Sequence, residues 1–158
     1  MDEQIGITVF VGTEELSVSI DDVQEVIEPV PVLSVPVTHC FFTGLISLRG
    51  AIIPLVDLHS VLHESPSRFT NKDKKYIICR SGQKSIAIDI DSVGDTFSFT
   101  SDQVSAPAND KTVLQQLVSG QIRLADRELP LLSIARVIAY TSKLNAKQRE
   151  QLGYLAVH

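Results

Sequence analysis

Apolar residues along most of the chain follow the pattern of β-strands. Residues 7–11 form a β-branched and aromatic run, and a glycine-containing turn separates them from residues 16–20, where apolar residues alternate with serines. A period of two predicts strands with one buried face. Further strands are predicted within residues 44–58, 76–79, 85–90 and 122–134, with turns at Arg49-Gly50 and Ser81-Gly82.

Helical patterns are short and few. Asp21 is placed to cap a short turn that carries Val23, Val26 and Ile27, and a second helical turn is predicted through Val61 and Leu62. Helical spacing recurs between residues 113 and 118, and helix-forming residues predict a terminal helix over residues 143–152. The polar stretches 64–75 and 101–111 are predicted to be loops.

The two halves of the sequence resemble each other. With an offset of 76, residues 44–62 align with residues 120–138, and with an offset of 70, residues 7–25 align with residues 77–95. The first alignment matches these identical pairs: Gly44 with Gly120, Ile46 with Ile122, Leu48 with Leu124, Pro54 with Pro130, Leu55 with Leu131 and Val61 with Val137.

We interpret this as one small β unit repeated over about residues 7–75 and 76–140, followed by a tail at 141–158. Because each unit is small for a core of its own, the two should pack together through apolar faces. A groove at such a junction is a natural binding site. The alternative is that short β segments resemble one another through composition alone.

Composition narrows the class of protein. With 158 residues, 44% of them hydrophobic and 21% charged, the chain is expected to form one domain or two small, joined ones. A net charge of −5 argues against a nucleic-acid binder. We expect no membrane span and no signal peptide, because the longest apolar run is six residues and the chain begins with an acidic, polar stretch. Cys40 and Cys79 favour thiols in a reducing cytoplasm over a disulfide.

Residues for catalysis or cofactor binding are not apparent. The sequence contains no phosphate-binding loop and no GxSxG motif. His59 and His63 would share a helical face, but His39 and Cys40 lie on another element, so an exposed polar face is favoured over a metal site. Asp21-Asp22, Asp89 and Asp91 fall at strand ends, where they are expected to serve turns and caps. We therefore expect no enzyme activity, cofactor or metal.

The sequence resembles the CheW family of bacterial chemotaxis coupling proteins. The segment FTGLISLRGAIIPLVDL at 42–58 is similar to the family signature G-V-x-N-L-R-G-x-I-I-P-V-x-D-L, and residues 23–27 are similar to V-x-E-V-I. Val35-Pro36 and residues 90–93 match further family elements. Ser47 departs from the usual Asn, and Ser133 stands where Asp is common.

The resemblance implies a mainly β fold of two interlocked five-stranded SH3-like barrels and a non-catalytic adaptor. Such a protein joins the cytoplasmic tip of a methyl-accepting chemoreceptor to the regulatory domain of the histidine kinase CheA, within arrays at the membrane. A divergent scaffold for another chemosensory pathway, such as surface motility, is the alternative. A small β-barrel enzyme or ligand-binding protein is a third hypothesis without supporting residues.

The resemblance also implies a set of site residues. It places Glu25 and Arg49 at the functional surface, although the two could equally form a pair that braces the first barrel. Gly44 and Gly50 are interpreted as residues that allow a positive φ angle or a close approach of the backbone, so their effect on binding would be indirect. A receptor groove could be lined by four apolar residues, which could instead belong to the core: Val23, Val26, Ile90 and Val93.

Overall fold

Strands dominate the regular structure of the protein. The computed structural model describes residues 3–33, 42–63, 74–107 and 112–141. Within these ranges the strands are β1 (Gln4–Val11), β2 (Glu14–Ser19), β3 (Val23–Ile27), β4 (Phe42–Leu48), β5 (Ala51–Asp57), β6 (Lys75–Ser81), β7 (Lys84–Ile90), β8 (Ser92–Phe99), β9 (Val104–Ser105), β10 (Val118–Arg123) and β11 (Glu128–Leu132). The α-helices are α1 (Leu58–His63), α2 (Val113–Leu117) and α3 (residues 134–141). Turns of 3₁₀-helix cover Ile20–Asp22 and Ser101–Gln103.

The strands form two sheets, and the chain closes each one on itself. The five-stranded sheet has the order β3-β6-β7-β5-β4, and beyond β3 the chain reaches Leu33, which exchanges two backbone hydrogen bonds of 2.7 and 2.9 Å with Leu45 of β4. The six-stranded sheet has the order β8-β1-β2-β11-β10-β9, and its edge strands β8 and β9 are joined by the turn Ser101–Gln103. Closure in this way removes most free strand edges.

Each sheet combines strands from both halves of the sequence. The β6–β7 hairpin joins β3, β4 and β5, whereas the β1–β2 hairpin joins β8 to β11. Two parallel pairings fix this exchange, β5 with β7 and β2 with β11. The expected pair of interlocked β-barrels is confirmed. One sheet has the five expected strands, and the other has six because it includes the two-residue strand β9.

The sequence repeat is visible in the backbone geometry. Gly12 and Gly82 begin the two-residue turns of equivalent hairpins with φ angles of 61° and 62°. Gly44 and Gly120 both lie at β-bulges. A Cβ at Gly44 would collide with the carbonyl oxygen of Leu33 and would lie 2.8 Å from a methyl group of Val32. A Cβ at Gly120 would likewise collide with the carbonyl oxygen of Ser105 and would lie 2.8 Å from a methyl group of Val104. The same close approach of one backbone segment to a glycine therefore occurs in both barrels.

Apolar packing is strongest between the barrels. The largest buried cluster takes residues from both sheets, among them Leu16 and Val18 of β2 and Ile86 and Ile88 of β7. Two smaller clusters fill the barrel interiors, one around Ile46 and the other around its repeat partner at 122. The apolar packing therefore joins the two barrels, each of which contains strands from both sequence units.

Several predicted elements differ from the structure. Residues 23–27 form a strand rather than a helical turn, because they pair with β6. Strand β8 and helix α3 were not predicted, while the predicted terminal helix at 143–152 lies outside the described ranges. In the part of the chain that the structure describes, no helix is long and apolar enough to cross a membrane.

Candidate protein-binding surface

Arg49 and Glu25 form an ion pair across one end of the five-stranded barrel. Both guanidinium terminal nitrogens donate to the carboxylate, Nη2 to Oε2 at 2.9 Å and Nη1 to Oε1. The Arg49 side chain remains 73% exposed and that of Glu25 27% exposed. The pair predicted as a brace therefore exists, and it also leaves charge accessible to another molecule. A bidentate pair fixes the orientation of the guanidinium plane.

The backbone holds Arg49 in a conformation that arginine seldom adopts. Leu48 pairs with Ala51, so Arg49 and Gly50 are the two central residues of a tight hairpin turn. Their φ angles are 50° and 84°, as in a type I′ turn, which favours Asn-Gly. Among the described residues, Arg49 is the one non-glycine residue with positive φ. An arginine kept at a position suited to Asn points to a role for its side chain.

The pair changes the titration of both members in the direction that keeps them charged. Hydrogen bonding from Arg49 lowers the pKa of the Glu25 carboxyl below its ordinary value. Hydrogen bonding to Glu25, with the attraction of its charge, raises the pKa of Arg49. Both groups are thus ionised at neutral pH, and the surface presents a fixed dipole rather than a titrating group.

Beside this turn, an apolar face lies on the outside of the same barrel. We use the term apolar face for Pro31, Leu33, Leu45 and Ile52, which line a cavity of about 230 Å³ together with Val32, Ile46 and Ser47. Leu33 is 65% exposed and Ile52 is 61% exposed, the two highest values among large apolar residues in the described ranges. No lining residue is charged.

The duplicated barrel shows that the fold does not require this apolar face. The offset of 76 places Gln121 and Glu128 at the positions of Leu45 and Ile52. The matching contacts of Gly44 and Gly120 place Ser105 at the position of Leu33, and therefore Gln103 at that of Pro31. Each apolar residue has a polar counterpart, although the interior residues Ile46 and Ile122 are identical. Apolar side chains at the surface of only one of two like barrels indicate an interaction site.

The four predicted groove residues do not form one surface. Ile90 is 2% exposed and belongs to the core between the barrels, so it is not accessible to a partner. Val23 and Val93 are half-buried against that core, and Val26 on β3 is 39% exposed. The core interpretation thus holds for Ile90, whereas Val26 is free to contact another molecule.

The predicted glycines have distinct structural roles. Gly44 has a φ of 151°, and the backbone at Leu33 passes directly over it. The absence of a side chain at Gly44 therefore allows the close backbone contact that closes the barrel. A Cβ at Gly50 would meet no atom within 4 Å, so its requirement is the positive φ of the turn. Both positions support the apolar face and the ion pair indirectly.

Groups that could bind a metal or react are dispersed. No set of three His, Cys, Asp or Glu residues in the described part of the chain could hold a metal ion. Cys79 is a free thiol, and burial raises its pKa to about 12; Cys40 and the His63 side chain lie outside what the structure describes. Asp91 serves a turn as expected, because it accepts a hydrogen bond from the Gly12 amide. Asp89 does not: it is buried and pairs with Lys74.

Sequence reasoning missed the apolar face, although the repeat alignment contains its signal. Leu45 aligns with Gln121 and Ile52 with Glu128, whereas every other large apolar residue of the segment 44–62 aligns with an identical or apolar residue. Asking where a large apolar residue aligns with a polar one would have singled out both residues. The exposure of Leu33 depends on its backbone pairing with Leu45, which closes the barrel, and the sequence around Leu33 does not indicate that pairing.

Comparisons with known proteins agree with this architecture. Residues 6–142 match the CheW-like domain family. The chain is 29% identical over 129 residues to "Chemotaxis protein CheW" of Klebsiella aerogenes, which covers 81% of this chain and 77% of that protein. It is 24% identical over 132 residues to "Probable chemotaxis protein CheW" of Rhizobium etli, covering 83% and 84%.

A solved structure shares the fold. The crystal structure of scaffolding protein TtCheW from Thermoanaerobacter tengcongensis superimposes with a TM-score of 0.75 at 23% identity, covering 84% of this chain and 86% of that one. The family match spans both barrels, including the Arg49 turn and the apolar face. The chain therefore belongs to the CheW-like domain family.

Proposed function

We propose that this chain is a non-enzymatic chemotaxis adaptor that couples chemoreceptors to a histidine kinase. Its relatives are named chemotaxis proteins, and the family match covers both barrels. The observation that carries the proposal is the apolar face, which one barrel has and its duplicate lacks. A surface that folding does not require is best explained by binding.

The kinase partner is proposed to be the regulatory domain of a CheA-type kinase. The apolar face offers two exposed anchors, Leu33 and Ile52, around an uncharged cavity, which suits an apolar side chain from a second protein. Arg49 stands three residues from Ile52 along the hairpin and would supply a charged contact at the rim. An apolar centre with a polar rim is the usual composition of such interfaces.

The receptor partner is proposed to be the cytoplasmic tip of a methyl-accepting chemoreceptor. Val26 is accessible on β3, with Val23 and Val93 half-buried near the junction of the two barrels. An amphipathic helical hairpin could lay its apolar face along this junction. Binding both partners would recruit the protein to receptor arrays at the membrane.

Coupling through such an adaptor is a matter of differential binding. The adaptor changes kinase output only if it binds one kinase state more tightly than another. Moderate single contacts are sufficient, because several contacts in an array add through multivalency. This mechanism requires rigid spacing between the two binding surfaces, which the shared core between the barrels provides.

Binding to the kinase regulatory domain and to a receptor cytoplasmic fragment tests the proposal. We expect the wild-type protein to bind both, and Arg49→Ala and Glu25→Ala to fold normally but lose assembly. Arg127→Ala is the matched control, because Arg127 forms a similar exposed ion pair with Glu15, at 2.7 Å, on the other barrel. If the wild type binds neither protein, the proposed function is wrong. If assembly survives both site variants, only the assignment of Arg49 and Glu25 is wrong.

A further inference from the structure

Two hairpin turns lie beside helices where the barrels meet. The turn at Gly12, between β1 and β2 of the six-stranded sheet, lies against α1, because a Cβ at Gly12 would stand 3.4 Å from the His59 ring. The turn at Gly82, between β6 and β7 of the five-stranded sheet, lies beside α3, and a cavity of about 220 Å³ separates them. The repeat offsets of 70 and 76 relate Gly12 to Gly82 and α1 to α3, so the two arrangements are equivalent.

Among the described residues, one of these arrangements is filled and the other is open. The His59 ring occupies the space beside Gly12, whereas a Cβ at Gly82 would meet no described atom within 4 Å. The sequence gives the reason, because the offset of 76 aligns His59 with Ala135. An alanine at the position of the histidine leaves the space beside Gly82 empty of a ring.

The open space is mainly apolar and has one charged residue. We use the term junction groove for its lining residues: Ser81, Lys84, Ala135, Ile138 and Ala139. Ile138 packs against the core between the barrels, while both alanines are exposed on α3. Lys84 is exposed and is the one charged residue of this lining. The groove therefore suits an apolar or aromatic side chain that has a carboxylate close by.

The chain itself contains a segment with this chemistry. Residues 142–158 follow α3 and lie outside the described ranges. Their sequence includes the uncharged stretch LGYLAV at 152–157, in which Tyr154 is the one aromatic residue. Glu150, two residues before this stretch, is the one acidic side chain in 142–158. An aromatic residue near a single carboxylate matches a groove with a single lysine.

The stretch 152–157 is close enough along the chain to reach the groove. Ala135 lies six residues before Thr141, where the described part of α3 ends, and six residues of helix span about 9 Å. Ten residues, 142–151, connect α3 to the stretch, and a flexible segment of ten residues spans roughly 17 Å. So short a connection gives an effective concentration in the millimolar range, at which even a weak contact is occupied.

We propose that residues 152–157 dock in the junction groove, with Tyr154 in the space that a histidine ring fills beside Gly12 and with Glu150 beside Lys84. The chain turns back after Thr141 to do so. Docking would link the Gly82 turn of the five-stranded sheet to the helix that follows the six-stranded sheet. The proposal is independent of the adaptor function, because it concerns neither the apolar face nor the Arg49–Glu25 pair.

A tryptophan reporter tests the docking, because the chain contains no tryptophan. The full chain with Tyr154→Trp is compared with a free peptide of residues 142–158 that carries the same substitution. We expect blue-shifted emission from the full chain and acrylamide quenching at least about twofold weaker than in the peptide, because a millimolar effective concentration keeps the segment docked for most of the time.

Filling the groove with the side chain of its duplicate should displace the segment. Ala135→His, added to Tyr154→Trp, introduces the ring that stands beside Gly12, so we expect the quenching of the free peptide. Ala125→His is the matched control, because Ala125 is an exposed alanine in the connection between β10 and β11 and should leave the quenching unchanged.

Exchange of the two charges tests the orientation of the segment. Lys84→Glu should increase quenching, because it would repel Glu150, and Lys84→Glu combined with Glu150→Lys should restore protection. A purely structural role of Lys84 would not be rescued by a change at position 150. Failure of the double variant to restore protection contradicts the placement of Glu150 beside Lys84.

Several results would overturn the docking itself. Quenching equal to that of the peptide shows that the segment is not docked, and protection that survives Ala135→His shows that it docks elsewhere. Protection that is lost on dilution identifies a second copy as the occupant, and protection that requires added kinase regulatory domain assigns the groove to that partner. If Tyr154→Trp does not fold, the amide resonances of Gly82 and Ala139 are compared between wild type and Tyr154→Ser, and the absence of any shift overturns the proposal.

Discussion

Replacing the apolar face with the residues of its duplicate tests whether this surface binds a partner. The double variant Leu33→Ser and Ile52→Glu introduces Ser and Glu as they occur at positions 105 and 128. Because the two native side chains are 65% and 61% exposed, the variant removes little buried area from the folded protein. We therefore expect the melting temperature to change by no more than about 2 °C.

The expected effect on binding is much larger. Full burial of a Leu or Ile side chain contributes about 1.5–3 kcal/mol, so burying the exposed part of each would contribute about 1–2 kcal/mol. Loss of both contacts would cost about 2–4 kcal/mol, which corresponds to about a 30- to 1000-fold weaker complex with the kinase regulatory domain.

Isothermal titration calorimetry with that domain measures the affinity, and circular dichroism checks the fold. Ile5→Ser is the matched control, because Ile5 is 47% exposed on β1 of the other sheet. A double variant that binds within threefold of wild type would refute the assignment of the apolar face. So would an equal loss of affinity in Ile5→Ser, because the effect would then not be specific to one barrel.

Three further predictions concern the fold and its thiol. Gly120→Ala should lower the free energy of unfolding by at least about 2 kcal/mol, because its Cβ would strike the Ser105 carbonyl; a urea midpoint like that of wild type would contradict this. In a Cys40→Ala background, Cys79 should react with iodoacetamide at pH 8 only on unfolding, because its thiol is buried with a pKa of about 12; rapid labelling of native protein would disprove it. Ser133→Ala should cost about 1 kcal/mol and Ser133→Asp little, because the Ser133 hydroxyl accepts from the Arg136 amide at 3.3 Å as an N-cap; equal melting temperatures would exclude this role.

Local chemistry made much of the fold predictable from sequence. The period of two at residues 16–20 and the turn at Arg49-Gly50 specify hairpins within a few residues of chain. The second predicted turn, Ser81-Gly82, lies one residue before the observed turn at Gly82-Gln83. Residues 23–27 were predicted wrongly because their strand depends on pairing with β6, about 50 residues away. Helix α3 was missed, although the repeat places Ile134 over Leu58, the first residue of α1.

The candidate site was predictable only in part. The Arg49–Glu25 contact was anticipated as one of two interpretations, and the structure shows the pair with an exposed guanidinium. Ile90 was assigned to a groove because periodicity gives a strand two faces without saying which of them meets the other barrel. Asp89 was assigned to a turn because its burial depends on Lys74 and on the parallel strand β5, neither of which is adjacent in sequence.

The exchange of hairpins between the sheets has a consequence for synthesis of the chain. Strand β2 pairs with β11, and the paired residues Ser17 and Leu131 are more than 110 residues apart in the sequence. Pairings this distant in sequence slow folding, since the intervening loop must close before the contacts stabilise it. On the ribosome, the β1–β2 hairpin is therefore expected to remain without its neighbour until nearly the whole chain has emerged. Fragments cut near residue 75 should be insoluble alone and should recover structure only when both are present together.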